Sequence, residues 1–529
     1  MPTRARQCAV LLALCFVLLV FTSCRAPTPA RPLIPPGPPP PAASDALLLI
    51  PRPKSVRLTG TRLRLTRDTR LILAPGAGPL DRMAALSVQA ELHGRLGLPP
   101  LPIRRISHSV KGVGDGAAWI MFGEPGRVPA VARLLRAAGA APCPRAEGYC
   151  LVAGPRAVVV AGHDPRGTFY GAQTLCQMLD RDAQGVYTPR GRVDDYPSLP
   201  WRGAHLFVGH HALPFHQKLI ARIFARLKMN NLVLQCEQAR WDALGKAPPP
   251  WAMSKSDLKA DIAFARRYGM AVTPLVNSVG HMPWLFRDPA NLPLAEDPQT
   301  PYAANVGNPE TYRRLFRLYD EVEDTFHSDA LHVGGDEVTQ RGRFPCRSLA
   351  QYPTVADALI AHVTRLHDHL KARGVRTMLW SDMLLSPGDA LDATNAPTPA
   401  QAARMRAGLS RDIILVDWHY SADDPFTSPR LLRRSGFGPV IGGTWATPGN
   451  IIGFSRALAS RGQAGLLQTT WAGYDSSEAN LNHERHQFAA FVLAADCAWN
   501  GGQMDARRLP YDPAKVFDRL YRPTKAYRE

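Results

Sequence analysis

Paired cysteines at metal-binding spacing are missing from this sequence of 529 residues, whose nine cysteines include no CxxC motif. Cysteine-based zinc sites need such pairs, so we predict no metal site and expect no cofactor. Apart from three cysteines in the first 24 residues, six remain. Cys143 and Cys150 are candidates for a disulfide in an oxidising compartment, and the sequence alone does not decide whether they pair.

Basic runs interleaved with aromatic residues are also absent, although the formal net charge is +19. A charge of this size favours anionic polymers or a membrane surface. Arginine is scattered through every segment, however, which is typical of a general compositional bias. We therefore predict no nucleic-acid partner.

The N-terminus lacks an apolar run long enough to cross a membrane comfortably, because residues 8–22 are too few. This run follows a basic head, a pattern that predicts a secretory signal. Residues 21–23 before Cys24 resemble a bacterial lipobox, so we predict that residues 1–24 direct export and that Cys24 is lipidated. Ordinary signal cleavage is the alternative. We expect an exported protein, either anchored by lipid to the membrane of a bacterial cell envelope or secreted.

Proline is abundant, with 49 residues, and residues 25–45 form a Pro/Ala-rich linker that should be an extended tether. The remaining chain is too long for one ordinary domain. We predict a smaller α+β domain at 46–198, a larger domain at 199–505 and a C-terminal tail at 506–529.

The predicted N-terminal domain mixes short strand and helix patterns and has few candidate catalytic groups. Its predicted strands are 63–73, 118–122 and a hairpin of 149–152 with 157–161. Helical spacing occurs at 83–96 and 167–179.

The larger domain alternates strand-like runs with helical patterns, which indicates parallel βα units. Eight units predict an α/β fold, a (β/α)8 TIM barrel. The strands are predicted at 204–208, 231–235, 271–275, 330–333, 376–380, 413–417, 440–443 and 465–469, with helices that include 215–228, 254–268, 309–326 and 355–372.

Polar and aromatic residues follow these predicted strands, at the barrel end where active sites form. Tryptophan is scarce, with ten residues, yet one stands at each of four consecutive strand ends. Indole faces stack on sugar rings, so we predict a sugar-binding pocket rather than ordinary packing. The predicted substrate-binding residues are Glu237, Asp382, Trp380, Trp418, Trp445, Trp471, Tyr474 and His210.

The segment 331–338, LHVGGDEV, is the centre of this pattern. Gly-Gly after a strand lifts the alternation of side chains, so Asp336 and Glu337 can face the same pocket. Two neighbouring acids suit acid catalysis, because each charge raises the proton affinity of the other. A solvated acidic loop is the alternative.

The His-x-Gly-Gly-Asp-Glu motif resembles the signature of family-20 glycoside hydrolases, the β-N-acetylhexosaminidases. The sequence is similar to a divergent branch of this family from Leu47 to about Asn500, including an accessory domain before the barrel. His281 matches the family's Gly-His motif, and Trp380, Trp418 and Trp471 match its aromatic cage.

This resemblance implies a substrate-assisted, retaining mechanism. Glu337 would protonate the leaving oxygen, and the substrate's own 2-acetamido oxygen would attack the anomeric carbon. Asp336 would orient that amide and stabilise the oxazolinium cation. His281 would tune Glu337, with Glu237 behind it. The implied partner is a glycan or amino-sugar oligosaccharide, and no oligomeric state is implied.

The sequence departs from the family pattern at several positions. His210, followed by His211, stands where the family has an arginine that grips sugar hydroxyls. An expected aspartate is replaced by Phe207. Ala446 and Gly473 replace an expected tyrosine and an acid, for which Tyr474 or Tyr420 are candidate substitutes. The identity of the sugar therefore stays open.

Two other interpretations compete with an exo-acting β-N-acetylhexosaminidase. The first is a catalytically inactive carbohydrate-binding lipoprotein of the same fold, against which the intact Asp336 and Glu337 argue. The second is a metal site, although the spacing of the histidines matches no common ligand motif. Those histidines are His205, His210, His211, His281 and His332.

Overall fold

The structure is a computed structural model that describes residues 47–105, 117–245 and 248–522. The predicted signal with Cys24 and the predicted linker lie outside the described residues. From Leu48 onward the chain forms one compact unit, in which a sheet domain precedes a closed barrel. Within the described ranges, no helix has both the length and the apolar character needed to cross a bilayer.

The N-terminal domain is built on a mixed sheet of eight strands. They are β1 (Ser55–Arg64), β2 (Arg70–Leu73), β3 (Ile103–Arg105), β4 (Trp119–Gly123), β5 (Tyr149–Ala153), β6 (Ala157–Gly162), β7 (Asp180–Asp182) and β8 (Gly185–Asp195). Their order is β1-β8-β5-β6-β4-β2-β3, with β7 paired to β8. The predicted hairpin is confirmed as the antiparallel pair β5 and β6. The helices of this domain are Pro79–Gly94, Pro129–Ala137 and Pro165–Met178.

The prediction of a single strand over 63–73 was wrong, because a turn separates β1 from β2. Thr69 donates its backbone N–H to the carbonyl of Thr66, and its hydroxyl accepts from the Thr66 N–H. Threonine side chains readily compete for backbone groups in this way. The candidate disulfide is not formed, since Cys143 and Cys150 are both free thiols.

Eight parallel strands close into a barrel, which confirms the predicted TIM fold. Their bounds differ from the prediction by at most three residues. They are β9 (Trp201–Phe207), β10 (Asn231–Gln235), β11 (Ala271–Leu275), β12 (Ala330–His332), β13 (Arg376–Trp380), β14 (Ile414–Trp418), β15 (Ile441–Thr444) and β16 (Gly465–Gln468).

Helices surround the barrel and bury their apolar faces against its strands. The predicted helix over 215–228 is interrupted, because Ala212–Leu219 continues into a wider π turn at Ile220–Phe224. The remaining longer helices are Lys255–Arg267, Pro309–Phe326, Val355–Ala372, Pro399–Gly408, Ser428–Arg434, Pro448–Ser460, Glu478–His483, Arg485–Asn500 and Pro513–Tyr521.

The predicted C-terminal tail contains the last of these helices. Val516, Phe517 and Tyr521 are buried in the main hydrophobic core, so this helix belongs to the packed body. The helix is capped by Asp512, whose carboxylate accepts from two backbone N–H groups.

A second hydrophobic cluster, made of side chains from successive strands, fills the barrel interior. Trp380 ends β13 and belongs to this cluster with only 2% of its surface exposed. Because active sites of such barrels form at the carboxyl ends of the strands, Trp380 marks the end of this packed interior that faces the predicted site.

Candidate active site

Two glycines after β12 turn the chain so that Asp336 and Glu337 reach the same space. Gly334 has φ +70° and Gly335 has φ +91°, which L-residues rarely adopt. A Cβ on Gly334 would lie 2.0 Å from Oδ1 of Asn277, so a side chain cannot fit there. Glu337 also has a positive φ of +48°, a strained conformation of the kind that clusters at functional sites.

His281, from the loop after β11, lies between the two carboxylates. Its Nε2 is 3.4 Å from Oδ2 of Asp336 and 3.3 Å from Oε2 of Glu337. These two distances show that both carboxylates approach the same imidazole nitrogen. This arrangement excludes the alternative of a solvated acidic loop. The residue pattern predicted the convergence, and the tertiary structure adds the basic group between them.

The charges of these three residues shift the pKa values of His281 and Asp336. Burial works against a charged imidazole, but Asp336 and Glu337 outweigh it and raise the pKa of His281 to about 10. Burial would likewise raise the pKa of Asp336, yet the His281 cation holds it below its usual range. At neutral pH the site therefore contains an imidazolium beside an ionised Asp336.

Asp382 follows β13, and its carboxylate binds the backbone of Glu337. It is 0% exposed, and its Oδ2 accepts hydrogen bonds from the backbone N–H of Glu337 and from Nδ2 of Asn395, each at 2.9 Å. Its Oδ1 accepts from Nε1 of Trp418 at 3.3 Å. Burial and the negative charge of Asp336 raise the pKa of Asp382 to about 7. These contacts hold Asp382 against the backbone of Glu337, and the contact with a sugar that the sequence predicted stays a prediction.

Glu237, after β10, has a similar supporting position. Its Oε1 accepts from the backbone N–H of Asn277 at 3.0 Å and from Nδ2 of Asn277 at 2.9 Å. Its Oε2 is buried without a hydrogen-bond partner, and burial raises the pKa of Glu237 to about 7. Glu237 binds the loop of Asn277, and the positive charge of His281 opposes the effect of burial on the pKa of Glu237. The predicted support of His281 by Glu237 stays a prediction.

Aromatic side chains from the last four strands form one connected wall. The ring centroid of Tyr420 is 4.9 Å from that of Trp418 and 5.6 Å from that of Trp445. Nε1 of Trp471 donates to the hydroxyl of Tyr420 at 3.0 Å. Trp380 lies below, with its ring 4.4 Å from that of His332. The structure thus connects the predicted tryptophans Trp418, Trp445 and Trp471 through Tyr420, and Trp418 also donates to Asp382, which binds Glu337.

The wall continues across the end of β9. The ring of Phe207 is 5.9 Å from that of Trp471 and 4.5 Å from that of Tyr474. His210 lies further out, with Nδ1 3.7 Å from Oδ1 of Asp475, and no described contact joins it to His281, Asp336 or Glu337. Where the resemblance implied a sugar-gripping cation, the structure therefore has an aromatic surface with a histidine at its rim.

The five histidines considered for a metal site do not form a single cluster of close candidate ligands among the described residues. His205 contacts the Thr470 carbonyl and the Gln235 side chain, and His332 accepts from the Gly334 N–H. Of the five, only His210 and His211 share a group of close candidate ligands within the described part of the chain, together with Asp475.

Three residues of the site were not found from the sequence. The hydroxyl of Tyr302 donates to the Glu337 carbonyl at 3.3 Å, and its ring lies 5.2 Å from that of His281. Asn395 holds Asp382, as described above. Gln487 accepts both from Nε1 of Trp445 and from the N–H of Trp471. None of the three stands directly after a strand, so no local signal marks them.

The arrangement can donate a proton and stabilise a positive charge at one place. Glu337 reaches the pocket beside an ionised neighbour, and Asp336 supplies the negative charge. The indoles supply apolar faces on which the C–H groups of a sugar ring can pack.

Two family models match the chain: glycosyl hydrolase family 20, domain 2, over residues 46–196, and glycosyl hydrolase family 20, catalytic domain, over residues 238–404. Together they cover more than half of the chain. The strands β9 and β10 lie between the matched ranges, and β14 to β16 lie beyond them. The departures after β9 thus fall outside the matched residues.

Two curated relatives match parts of the chain at low sequence identity. A lacto-N-biosidase from Bifidobacterium bifidum is 25% identical over 296 residues, which is 53% of this chain and 25% of that protein. A β-hexosaminidase from Akkermansia muciniphila is 26% identical over 222 residues, 36% of this chain and 45% of that protein. The chain therefore spans less than half the length of either relative.

Similarity of fold is clearer. The crystal structure of a family-20 exo-β-N-acetylglucosaminidase from Vibrio harveyi, in complex with N-acetylglucosamine, superposes with a TM-score of 0.67. The match covers 92% of this chain and 79% of that chain at 16% identity, so it establishes the fold.

Proposed function

Because the chain belongs to glycoside hydrolase family 20, we propose that it is an exo-acting β-N-acetylhexosaminidase that hydrolyses terminal N-acetylglucosamine or N-acetylgalactosamine residues. The observation that carries this proposal is the convergence of Asp336 and Glu337 on His281, at 3.4 and 3.3 Å. Similarity to a β-hexosaminidase and to a lacto-N-biosidase supports an amino-sugar glycan as the substrate.

In the proposed reaction Glu337 protonates the glycosidic oxygen, and the bond from that oxygen to the anomeric carbon breaks. The substrate's 2-acetamido oxygen forms the new bond to the anomeric carbon, which gives an oxazolinium ion. Water then opens this ion with Glu337 acting as base, so that the anomeric configuration is retained. Supplying the nucleophile from the substrate explains how one adjacent acid pair is sufficient.

Asp336 has the complementary role in this proposal. Its pKa is held low by the His281 cation, so it is ionised when the acetamido N–H approaches and when the oxazolinium charge develops. The positive charge of His281 attracts both carboxylates and so keeps them close together. His281 itself neither protonates the glycosidic oxygen nor stabilises the oxazolinium ion. Trp471, with 36% of its surface exposed, offers a face against which the sugar ring can pack. Trp380 is almost fully buried and supports that site from the barrel interior.

Hydrolysis of 4-nitrophenyl N-acetyl-β-glucosaminide and N-acetyl-β-galactosaminide tests the proposal. Substrates with N-trifluoroacetyl in place of N-acetyl should react at least tenfold more slowly, because fluorine withdraws electrons from the attacking oxygen. Equal rates for the two N-acyl groups would exclude substrate assistance. Binding of N-acetylglucosamine without any turnover would instead support the inactive carbohydrate-binding lipoprotein.

We also propose that the protein is exported and tethered to a bacterial membrane through lipid on Cys24. This proposal rests on the basic head, the apolar run and the lipobox-like residues 21–23. Mass spectrometry of the purified N-terminus tests it: a diacylglycerol-modified Cys24 is expected, and an unmodified start beyond Cys24 would exclude lipidation.

A further inference from the structure

Trp251 exposes a large aromatic face next to the proposed active site. It lies in the loop after β10, and 38% of its surface is exposed. Its carbonyl accepts the backbone N–H of His210 at 2.8 Å, which ties this loop to the end of β9. Met253 donates its N–H to the carbonyl of Gln238. The indole is therefore held at the barrel rim by backbone bonds.

Arg287 lies over this indole. Its guanidinium carbon is 5.2 Å from the ring centroid of Trp251, and its Nη2 donates to Oε1 of Gln238 at 3.2 Å. Within the described residues no carboxylate forms an ion pair with Arg287, whereas many other arginines of this chain are paired with acids. Burial lowers its pKa and the nearby Tyr474 opposes that shift, but a guanidinium stays charged at neutral pH.

The end of β9 connects this cation to the aromatic wall. The ring of Phe207 contacts those of Trp471 and Tyr474, and three residues further on the His210 N–H binds the carbonyl of Trp251, over which Arg287 lies. Five of the seven large apolar side chains described as exposed lie in loops after barrel strands; they are Trp251, Leu349, Leu391, Trp471 and Tyr474. Apolar exposure is thus concentrated on the face that carries the site, which is typical of a binding surface.

We propose that Trp251 and Arg287 form a subsite for the sugar that follows the scissile bond, and that the preferred sugar there carries an anionic group such as a carboxylate. This inference rests on the proposed function. In an exo-acting enzyme the terminal sugar enters the pocket and the rest of the chain passes over the rim. The indole packs against that second sugar, and the guanidinium accepts its anion in a charge-assisted hydrogen bond.

Two matched pairs of substrates isolate the effect of the negative charge on the second sugar. These are the disaccharides in which N-acetyl-β-glucosamine is linked 1,3 or 1,4 to glucuronic acid, each compared with its own methyl ester. With the full-length enzyme we expect kcat/KM for an acid to exceed that for its ester by about tenfold, the effect of one charge-assisted hydrogen bond. Added salt should reduce the ratio, because the cation is at the rim.

Variants separate the subsite from general effects. Arg287→Gln should bring the ratio of acid to ester close to one, and Trp251→Ala should raise KM for both disaccharides. Arg430→Gln removes a positive charge from an outer helix and should leave the ratio unchanged. A ratio near one in the wild type, or a ratio that survives Arg287→Gln, would overturn the subsite even where 4-nitrophenyl N-acetyl-β-glucosaminide is hydrolysed. Absence of that hydrolysis would instead reject the proposed function.

Discussion

The backbone N–H of Glu337 donates a 2.9 Å hydrogen bond to Oδ2 of Asp382, a fully buried carboxylate contributed by the loop after the next barrel strand. Glu337 has φ +48°, so its backbone is held in a strained conformation by this partner. The position of the proposed acid therefore depends on a buried carboxylate from a neighbouring strand end.

Asp382→Ala should lower kcat by about 100-fold, because Glu337 and Trp418 both lose an acceptor and the acid is misplaced. KM should change less, since the aromatic wall remains. Steady-state kinetics with an aryl N-acetyl-β-glucosaminide measure both constants. Asp389→Ala, which removes a carboxylate bound to Ser386 in the same loop, is the control and should keep kcat within about twofold. A change confined to KM would contradict the positioning role.

Glu337→Gln should lower kcat by about 10² to 10⁴, the usual contribution of a general acid, while binding of N-acetylglucosamine is retained. The loss should be larger for a disaccharide than for a 4-nitrophenyl glycoside, because a poor leaving group needs the proton more. Glu310→Gln on the outer helix Pro309–Phe326 serves as the matched control. A Glu337→Gln enzyme with full activity would remove this assignment.

His281→Gln should change how the free energy of unfolding depends on pH in the alkaline range. The folded-state pKa of about 10 lies above the ordinary value of 6.5, so the stability contributed by the imidazolium is complete below pH 6.5 and is lost as the pH rises through 10. Denaturant unfolding at pH 7 and pH 10.5 measures this: the difference in stability between wild type and variant should shrink at the higher pH. An unchanged difference would show that His281 carries no charge at neutral pH.

Glu237→Gln should change the free energy of unfolding in a lower pH range, between pH 4.5 and about 7. The pKa of about 7 exceeds the ordinary 4.5, so the folded protein binds more protons than the unfolded chain between these values, and stability falls as the pH rises. The cost at pH 8 is on the order of 3 kcal/mol at 1.4 kcal/mol per pH unit. The variant should therefore be more stable than wild type at pH 8 and similar at pH 5. A variant that is less stable at both would contradict the prediction.

Gly334→Ala should reduce both stability and activity. Its Cβ would meet Oδ1 of Asn277 at 2.0 Å in addition to the strain of φ +70°. Gly374 has a similar φ of +75° with open space around it, so Gly374→Ala isolates the backbone strain. We expect a loss of about 1 kcal/mol for the control and about 3 kcal/mol or more at Gly334 from thermal unfolding. Equal losses would show that Asn277 moves away freely.

Local pattern was sufficient for much of the fold because each barrel strand is a short apolar run with its own turn signals. The strands β10, β11 and β13 were predicted to the residue. The error over 63–73 arose where threonine side chains take up backbone hydrogen bonds, which periodicity does not report.

The sequence by itself determined the barrel, the order of its strand ends and the Gly-Gly-Asp-Glu motif, since all of these depend on residues adjacent in the chain. Only the tertiary structure decided that His281 lies between the two acids and that Arg287 lies over Trp251. It also decided that Asp382 binds the backbone of Glu337 and that Glu237 binds the backbone of Asn277. The physical reason is that these contacts join loops from different strands, and their distances depend on how the barrel closes rather than on local preference.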